Sequence, residues 1–213
     1  MQQLNVREIE NVIFDLGEVI VDLMPDRVIN QLALHSSLHI DEIREAIVSH
    51  PALYAYETGK LSDQAFVVAM NASLAMDLTI AAFENIWNSL LGDIPSRKLL
   101  LMQALMKDYQ VLILSNTNAM HQRGFDAFVY SEHHIKMSAF AHHAYYSHDI
   151  GFRKPDPQSY QYLIDNHHLN PTKTVFFDDK VENVTAAIDM GIIGVQIKSS
   201  DMIYEYLDVL IRR

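Results

Sequence analysis

Four short stretches of the chain are almost continuously apolar, the character of strands buried on both faces of a parallel sheet. They are Val12-Ile13-Phe14, Val111 to Leu114, Thr174 to Phe177 and Ile192 to Ile197. Between them apolar residues recur at helical spacing. Pro95 to Lys107 has a proline at its start, Pro157 to His167 follows the same rule, and Val181 to Met190 ends at Gly191, a natural stop. Strands alternating with helices predict a doubly wound α/β fold on a parallel sheet.

Residues 25–93 interrupt this alternation. The segment has no strand-like run and reads as helices over Asp26 to His35, Asp41 to Ser49, Ser62 to Ala75 and Thr79 to Leu90, with Ser62 as a cap. Turn signals at Thr58-Gly59 and Gly92-Asp93 punctuate it. The expected organisation is a catalytic core from 1–24 and 94–213 carrying a helical unit at 25–93.

In doubly wound sheets the chemistry collects beyond the carboxyl ends of the strands. Polar residues stand there: Asp15, Gly17 and Glu18 after the first run, Ser115 to Asn118 after the second, and Asp178-Asp179 after another. Two adjacent carboxylates at the end of an apolar strand repel each other unless a cation is near.

Taken in order, four motifs resemble those of the haloacid dehalogenase-like superfamily over nearly the whole chain. They are Val12 to Ile20, Leu114 to Asn118, Gly151-Phe152-Arg153-Lys154-Pro155-Asp156, and Phe176 to Asp179 with Asn183 following. The resemblance implies a Rossmann-like core with an inserted helical cap, and a phosphatase in which Asp15 is transiently phosphorylated. The Tyr56 to Ser62 stretch is similar to the part of the cap that faces substrate in related members. A phosphate dianion repels a carboxylate nucleophile, so a divalent cation and a positive side chain must neutralise it before in-line attack. Magnesium takes hard oxygen ligands. Asp15, the Gly17 carbonyl and Asp179 would supply them, with Asp178 as a further ligand or a supporting partner. Lys154 would bridge Asp15 and the phosphoryl group, and the Ser115 hydroxyl and Asn116 backbone amide would bind its remaining oxygens.

One position departs from the family's commonest pattern. Gly17 stands where most phosphatase members carry a second Asp, the acid for the leaving group and then the base for water. A subgroup that includes α-D-glucose-1-phosphate phosphatases shares the Asp-Leu-Gly start, so the departure is compatible with phosphatase activity. A metal-bound or substrate-held water, or Glu18, would stand in.

Composition narrows the field. With 16 basic against 27 acidic residues, a net charge of -11 disfavours a nucleic-acid groove. The absence of cysteine excludes disulfides, thiolate catalysis and Cys-ligated zinc. Apolar runs fall far short of the ~18 residues of a membrane span, and Gln2-Gln3 is not the start of an export signal. A soluble cytoplasmic enzyme acting on a small phosphorylated metabolite, as monomer or dimer, is the expectation. Of 11 histidines, the pairs His133-His134, His142-His143 and His167-His168 point apart and cannot chelate, so the histidines are expected at or near the surface. Trp87 and Tyr145-Tyr146 read as core and cap packing. Gly59-Lys60 runs into Leu61 and makes no P-loop. Two alternatives carry less: a metal-independent 2-haloacid dehalogenase, against which Asp178-Asp179 speaks, and a binding protein that lost turnover at Gly17.

Overall fold

A computed structural model describes residues 4–212. Along the chain lie β1 (Asn11–Phe14), α1 (Pro25–Ala33), α2 (Ile40–Ser49), α3 (Pro51–Glu57), α4 (Asp63–Ser73), α5 (Ile80–Trp87), α6 (Ser96–Leu105) and β2 (Gln110–Ser115). After them come α7 (Ala119–His133), β3 (His143–Tyr146), α8 (Ser147–Ile150), α9 (Pro157–His167), β4 (Thr174–Asp178), α10 (Val181–Asp189), β5 (Ile193–Gln196) and α11 (Met202–Ile211). The five strands form one parallel sheet in the order β3-β2-β1-β4-β5.

Alternation along each strand explains the double winding. Val12, Phe14, Val111, Ile113, Val175 and Phe177 share one buried cluster with residues of α6, α7 and α11, such as Leu99, Phe125 and Leu207. Ile13, Leu112, Leu114 and Phe176 point to the other face, against Tyr160 and Leu163 of α9 and Ala187 of α10. A period of two therefore gives every central strand two apolar faces, and the chain must cover both.

The four apolar runs all form strands. The fifth, β3, was not among the expected elements because it is an edge strand whose His143 is exposed and whose burial is uneven. Tyr146 packs in the cluster of the first face and Tyr145 against that of the second, so this pair belongs to the sheet and not to the helical insert.

Residues between β1 and β2 form an apolar cluster of their own, apart from the two on the sheet faces. Val28, Ile29, Ile43, Tyr56, Phe66, Met70, Phe83 and Trp87 are buried together, with Tyr56 stacked on Phe66 at 4.2 Å. Met120, from the first turn of α7, joins the same cluster. Ser62 caps α4 by accepting the Ala65 N–H at 3.2 Å, as its position predicts. Where the chain leaves and re-enters the sheet layer, the two connections run side by side. Asp22 N–H bonds Asp93 O at 2.9 Å, Gly92 N–H bonds Asp22 O at 2.7 Å and Met24 N–H bonds Leu90 O at 2.7 Å. Among the described residues no helix is long and apolar enough to cross a membrane.

Candidate active site

The sheet order brings three strand ends together. β1 lies between β2 and β4 with Phe14 opposite both Ile113 and Phe177, so the residues that follow are neighbours. The Asp15 N–H continues the ladder to Phe177 O at 2.9 Å. Asp15 Oδ1 accepts the Leu16 N–H at 2.7 Å and the Lys154 ammonium at 2.9 Å. Lys154 is fully buried, and its Nζ also donates to Leu114 O at 2.8 Å and Asp178 Oδ2 at 2.7 Å. One lysine thus ties β1, β2 and β4.

Lys154 is itself held from behind. The Asn116 side chain donates to Lys154 O and accepts from Lys154 N–H, both at 2.8 Å. The sequence pointed to the Asn116 backbone amide; the structure adds that its side chain fixes the lysine's backbone. Asp178 is equally engaged, since Oδ1 accepts the Lys180 N–H at 2.8 Å and Asn183 Nδ2 reaches both carboxylate oxygens at 2.9 and 3.0 Å. Asp179 is only partly buried, and its carbonyl accepts from Gln196 Nε2 at 3.0 Å.

The charges do not balance. Carboxylate oxygens of Asp15, Asp178 and Asp179 lie within 4.8 Å of one another. With all three ionised, Lys154 within the cluster leaves an excess of two negative charges. Burial raises the Asp15 carboxyl most, Lys154 pulls it down and Asp178 pushes it up again, which together leave it at about 7. Burial and then Asp178 likewise raise Asp179. Burial opposes the Lys154 charge, but Asp15 and Asp178 outweigh it and hold its pKa above the ordinary lysine value. An all-oxygen cluster with a deficit of two positive charges fits a divalent hard cation.

A cavity of about 290 Å³ opens beside this cluster. Leu16, Gly17, Ser115 and Asn116 line it from the sheet side, and Val28, Ile29, Ile47, Leu53 and Trp87 from the insert. Glu57 of the insert reaches Arg153 at 2.8 Å along its wall. Burial raises the Glu57 carboxyl above its usual range, with Arg153 and then Lys180 opposing. The Tyr56 to Ser62 stretch therefore does border the cavity, through Glu57. Gly59, at φ +69°, lies so close to the His148 carbonyl that a Cβ would fall 2.2 Å from its oxygen. The stand-in role considered for Glu18 meets an obstacle, because its Oε1 already accepts the Leu23 N–H at 3.1 Å.

His121 corrects the reading of the histidines as surface or partly buried groups. It is only 6% exposed and lines the cavity. Nothing in its own spacing signalled this; the clue lay in Asn118, whose side chain accepts the His121 N–H at 3.1 Å and starts a helix at the site.

A family model described as haloacid dehalogenase-like hydrolase matches residues 9–191. D-ribitol-5-phosphate phosphatase of Bacteroides thetaiotaomicron is 26% identical over 183 residues, covering 86% of this chain and 89% of that protein. A haloacid dehalogenase family enzyme of the same organism, crystallised with magnesium and inorganic phosphate, superposes with a TM-score of 0.82 at 26% identity, over 90% of this chain and 95% of the other. A HAD-like family hydrolase of Porphyromonas gingivalis shares the fold, with a TM-score of 0.88 at 22% identity over 97% and 99% of the two chains.

Proposed function

The chain belongs to the haloacid dehalogenase-like hydrolases, and from that premise we propose that it is a magnesium-dependent phosphatase of a small phosphomonoester, with Asp15 as nucleophile. The observation that carries this is the buried cluster of Asp15, Asp178, Asp179 and Lys154, whose unbalanced charge suits a divalent cation beside a nucleophilic carboxylate. The similarity to a sugar-alcohol phosphatase and to an enzyme crystallised with magnesium and phosphate supports it, and makes a sugar phosphate the first substrate class to test.

Asp15, the Gly17 carbonyl and Asp179 would hold the ion. Asp178, with both oxygens taken up by Lys154, Asn183 and Lys180 N–H, is read as their support. When bound, magnesium neutralises phosphoryl charge and lowers the repulsion felt by an incoming carboxylate. Asp15 attacks phosphorus as the bond to the alcohol oxygen breaks, a water gives the departing oxygen its proton, and an aspartyl-phosphate results. Lys154 favours the ionised form of Asp15 against the effect of burial, aims it, and binds the transferred group. The Ser115 hydroxyl and Asn116 amide take the other phosphoryl oxygens. Water then attacks phosphorus, its proton passing to the phosphate formed or to solvent, and the Asp15 carboxylate is restored. Residues 25–93 act as a cap that excludes bulk water and contacts the leaving alcohol.

The same carboxylates weigh against a metal-free dehalogenase, which has no use for three of them in one cluster. The test is phosphate release from p-nitrophenyl phosphate, glucose 1-phosphate and ribitol 5-phosphate with magnesium and with chelator. Release that stops on chelation is the expected result. No release from any of them, or release indifferent to chelation, overturns the proposal.

A further inference from the structure

His121 is one of several polar side chains of the cavity that the mechanism above leaves without work, and its neighbours hold it in place. His121 occupies the first turn of α7 and is pinned on two sides. Its Nδ1 lies 3.1 Å from Asn88 Oδ1, and its ring stacks on Trp87 at 5.4 Å with 6° between the planes. The amide oxygen of Asn88 only accepts, so the hydrogen-bond network assigns the proton to Nδ1 and leaves a lone pair on Nε2. Among the described residues no protein group bonds that nitrogen, yet the side chain lines the cavity it shares with Ser115, Asn116 and Thr117. Burial drives its pKa down to about 3, so the ring is neutral at physiological pH and accepts hydrogen bonds without contributing charge.

Of the cations that line the cavity, the two arginines are already paired, and Lys180 is an exposed residue. Arg153 is paired with Glu57 at 2.8 Å, and Arg44 with Asp26 at 2.9 Å. The insert's share of the wall is mostly aliphatic, with Val28, Ile29, Ile47 and Leu53 facing the space. A rigid, neutral, uncommitted acceptor set against such a wall is costly to leave unpaired by a ligand that fills the space.

We infer that His121 is a specificity-determining residue, whose Nε2 accepts a hydrogen bond from a free hydroxyl of the phosphorylated alcohol while the insert packs on its carbon skeleton. This rests on the phosphatase reading. The substrate class it names is a phosphomonoester of an alcohol that keeps at least one further hydroxyl. Sites that hydrogen-bond a substrate hydroxyl reject analogues lacking it far more strongly than apolar pockets reject an extra group.

The experiment uses the full chain with magnesium and compares glucose 1-phosphate and ribitol 5-phosphate with cyclohexyl phosphate, a ring without free hydroxyls. The quantity read is the ratio of kcat/KM between the better hydroxyl-bearing substrate and cyclohexyl phosphate. His121→Phe keeps the stack on Trp87 and removes the acceptor; His121→Gln restores an acceptor on a flexible stem. The ratio is expected to fall at least about tenfold in the Phe variant, mainly through KM of the hydroxyl-bearing substrate, and to recover in part with Gln. A ratio within about twofold of the parent in both variants would show a packing role alone and overturn the inference. If the Phe variant fails to fold, His121→Leu, which also removes the acceptor, decides by the same ratio. Absence of phosphate release from the parent with every substrate would instead remove the phosphatase reading, a result distinct from an unchanged ratio.

Discussion

At the residue scale the behaviour of the site follows from burying more carboxylate than one lysine can neutralise. Asp15→Asn removes one charge from a cluster that repels itself, so turnover should drop by at least about 10³-fold while thermal stability holds or rises. Activity assays and a melting curve on the same sample check both halves. Lys154→Met is expected to go the other way on stability. It leaves Asp15 and Asp178 facing each other without their shared cation, at a cost of about 3 kcal/mol, the low end for a broken buried pair because Asp15 can take up a proton. Urea unfolding without metal measures it. His121 gives a pH signature of its own. Its native pKa of about 3 lies below the ordinary 6.5, so the unfolded chain binds a proton that the folded chain refuses. Stability from this group is complete above about 6.5 and is lost as pH falls towards 3, by an amount on the order of a few kcal/mol. His121→Phe should flatten that part of the stability curve, and urea midpoints at neutral and mildly acidic pH would show it. Asp15, Lys154 and Asp178-Asp179 were legible in the sequence because each sits at the end of an apolar run or in a recognisable motif. His121 was not, since a histidine's burial depends on Asn88 and Trp87, which lie more than thirty positions away.

Elements were legible in proportion to how completely they are buried. The strands β1, β2 and β4 are continuous apolar runs, and α9 begins and ends where proline and the spacing place it. The edge strand β3 carries no such run, and α7 mixes Gly124, His121 and Arg123 into a pattern with no clean apolar stripe. What α7 contributes becomes clear only in three dimensions. Arg123 bonds Asp63 at 2.6 Å and Glu84 at 2.8 Å, and the Tyr56 hydroxyl donates to Asp63 while accepting the Met120 N–H at 3.3 Å. Together with Gly59 against His148, these contacts dock the insert on the sheet layer beside the site. Gly59→Ala places a methyl where the His148 carbonyl stands, in a left-handed conformation as well. It should cost about 1–3 kcal/mol and raise KM more than it lowers kcat, because Glu57 moves with the loop. A chemical melt together with steady-state kinetics distinguishes this from simple destabilisation.

On the scale of the whole molecule, cation, core and insert form one linked system. An ion bound only by the folded chain stabilises it by about 2.7 kcal/mol at one hundred times its dissociation constant. Saturating magnesium should therefore raise the melting temperature of the intact protein by several degrees. Asp179→Asn, which removes the least committed of the three carboxylates, should lose most of that shift. An equal shift in the variant would place the ion elsewhere.

The phosphorylated aspartate itself can be sought directly. The protein is mixed with magnesium and a phosphomonoester that it hydrolyses, carrying radiolabelled phosphate, then quenched in acid and digested. Label is predicted on the peptide containing Asp15, labile to base and absent after chelation or in Asp15→Asn. Phosphate released without any label on that peptide, or label on another residue, would contradict Asp15 as the nucleophile.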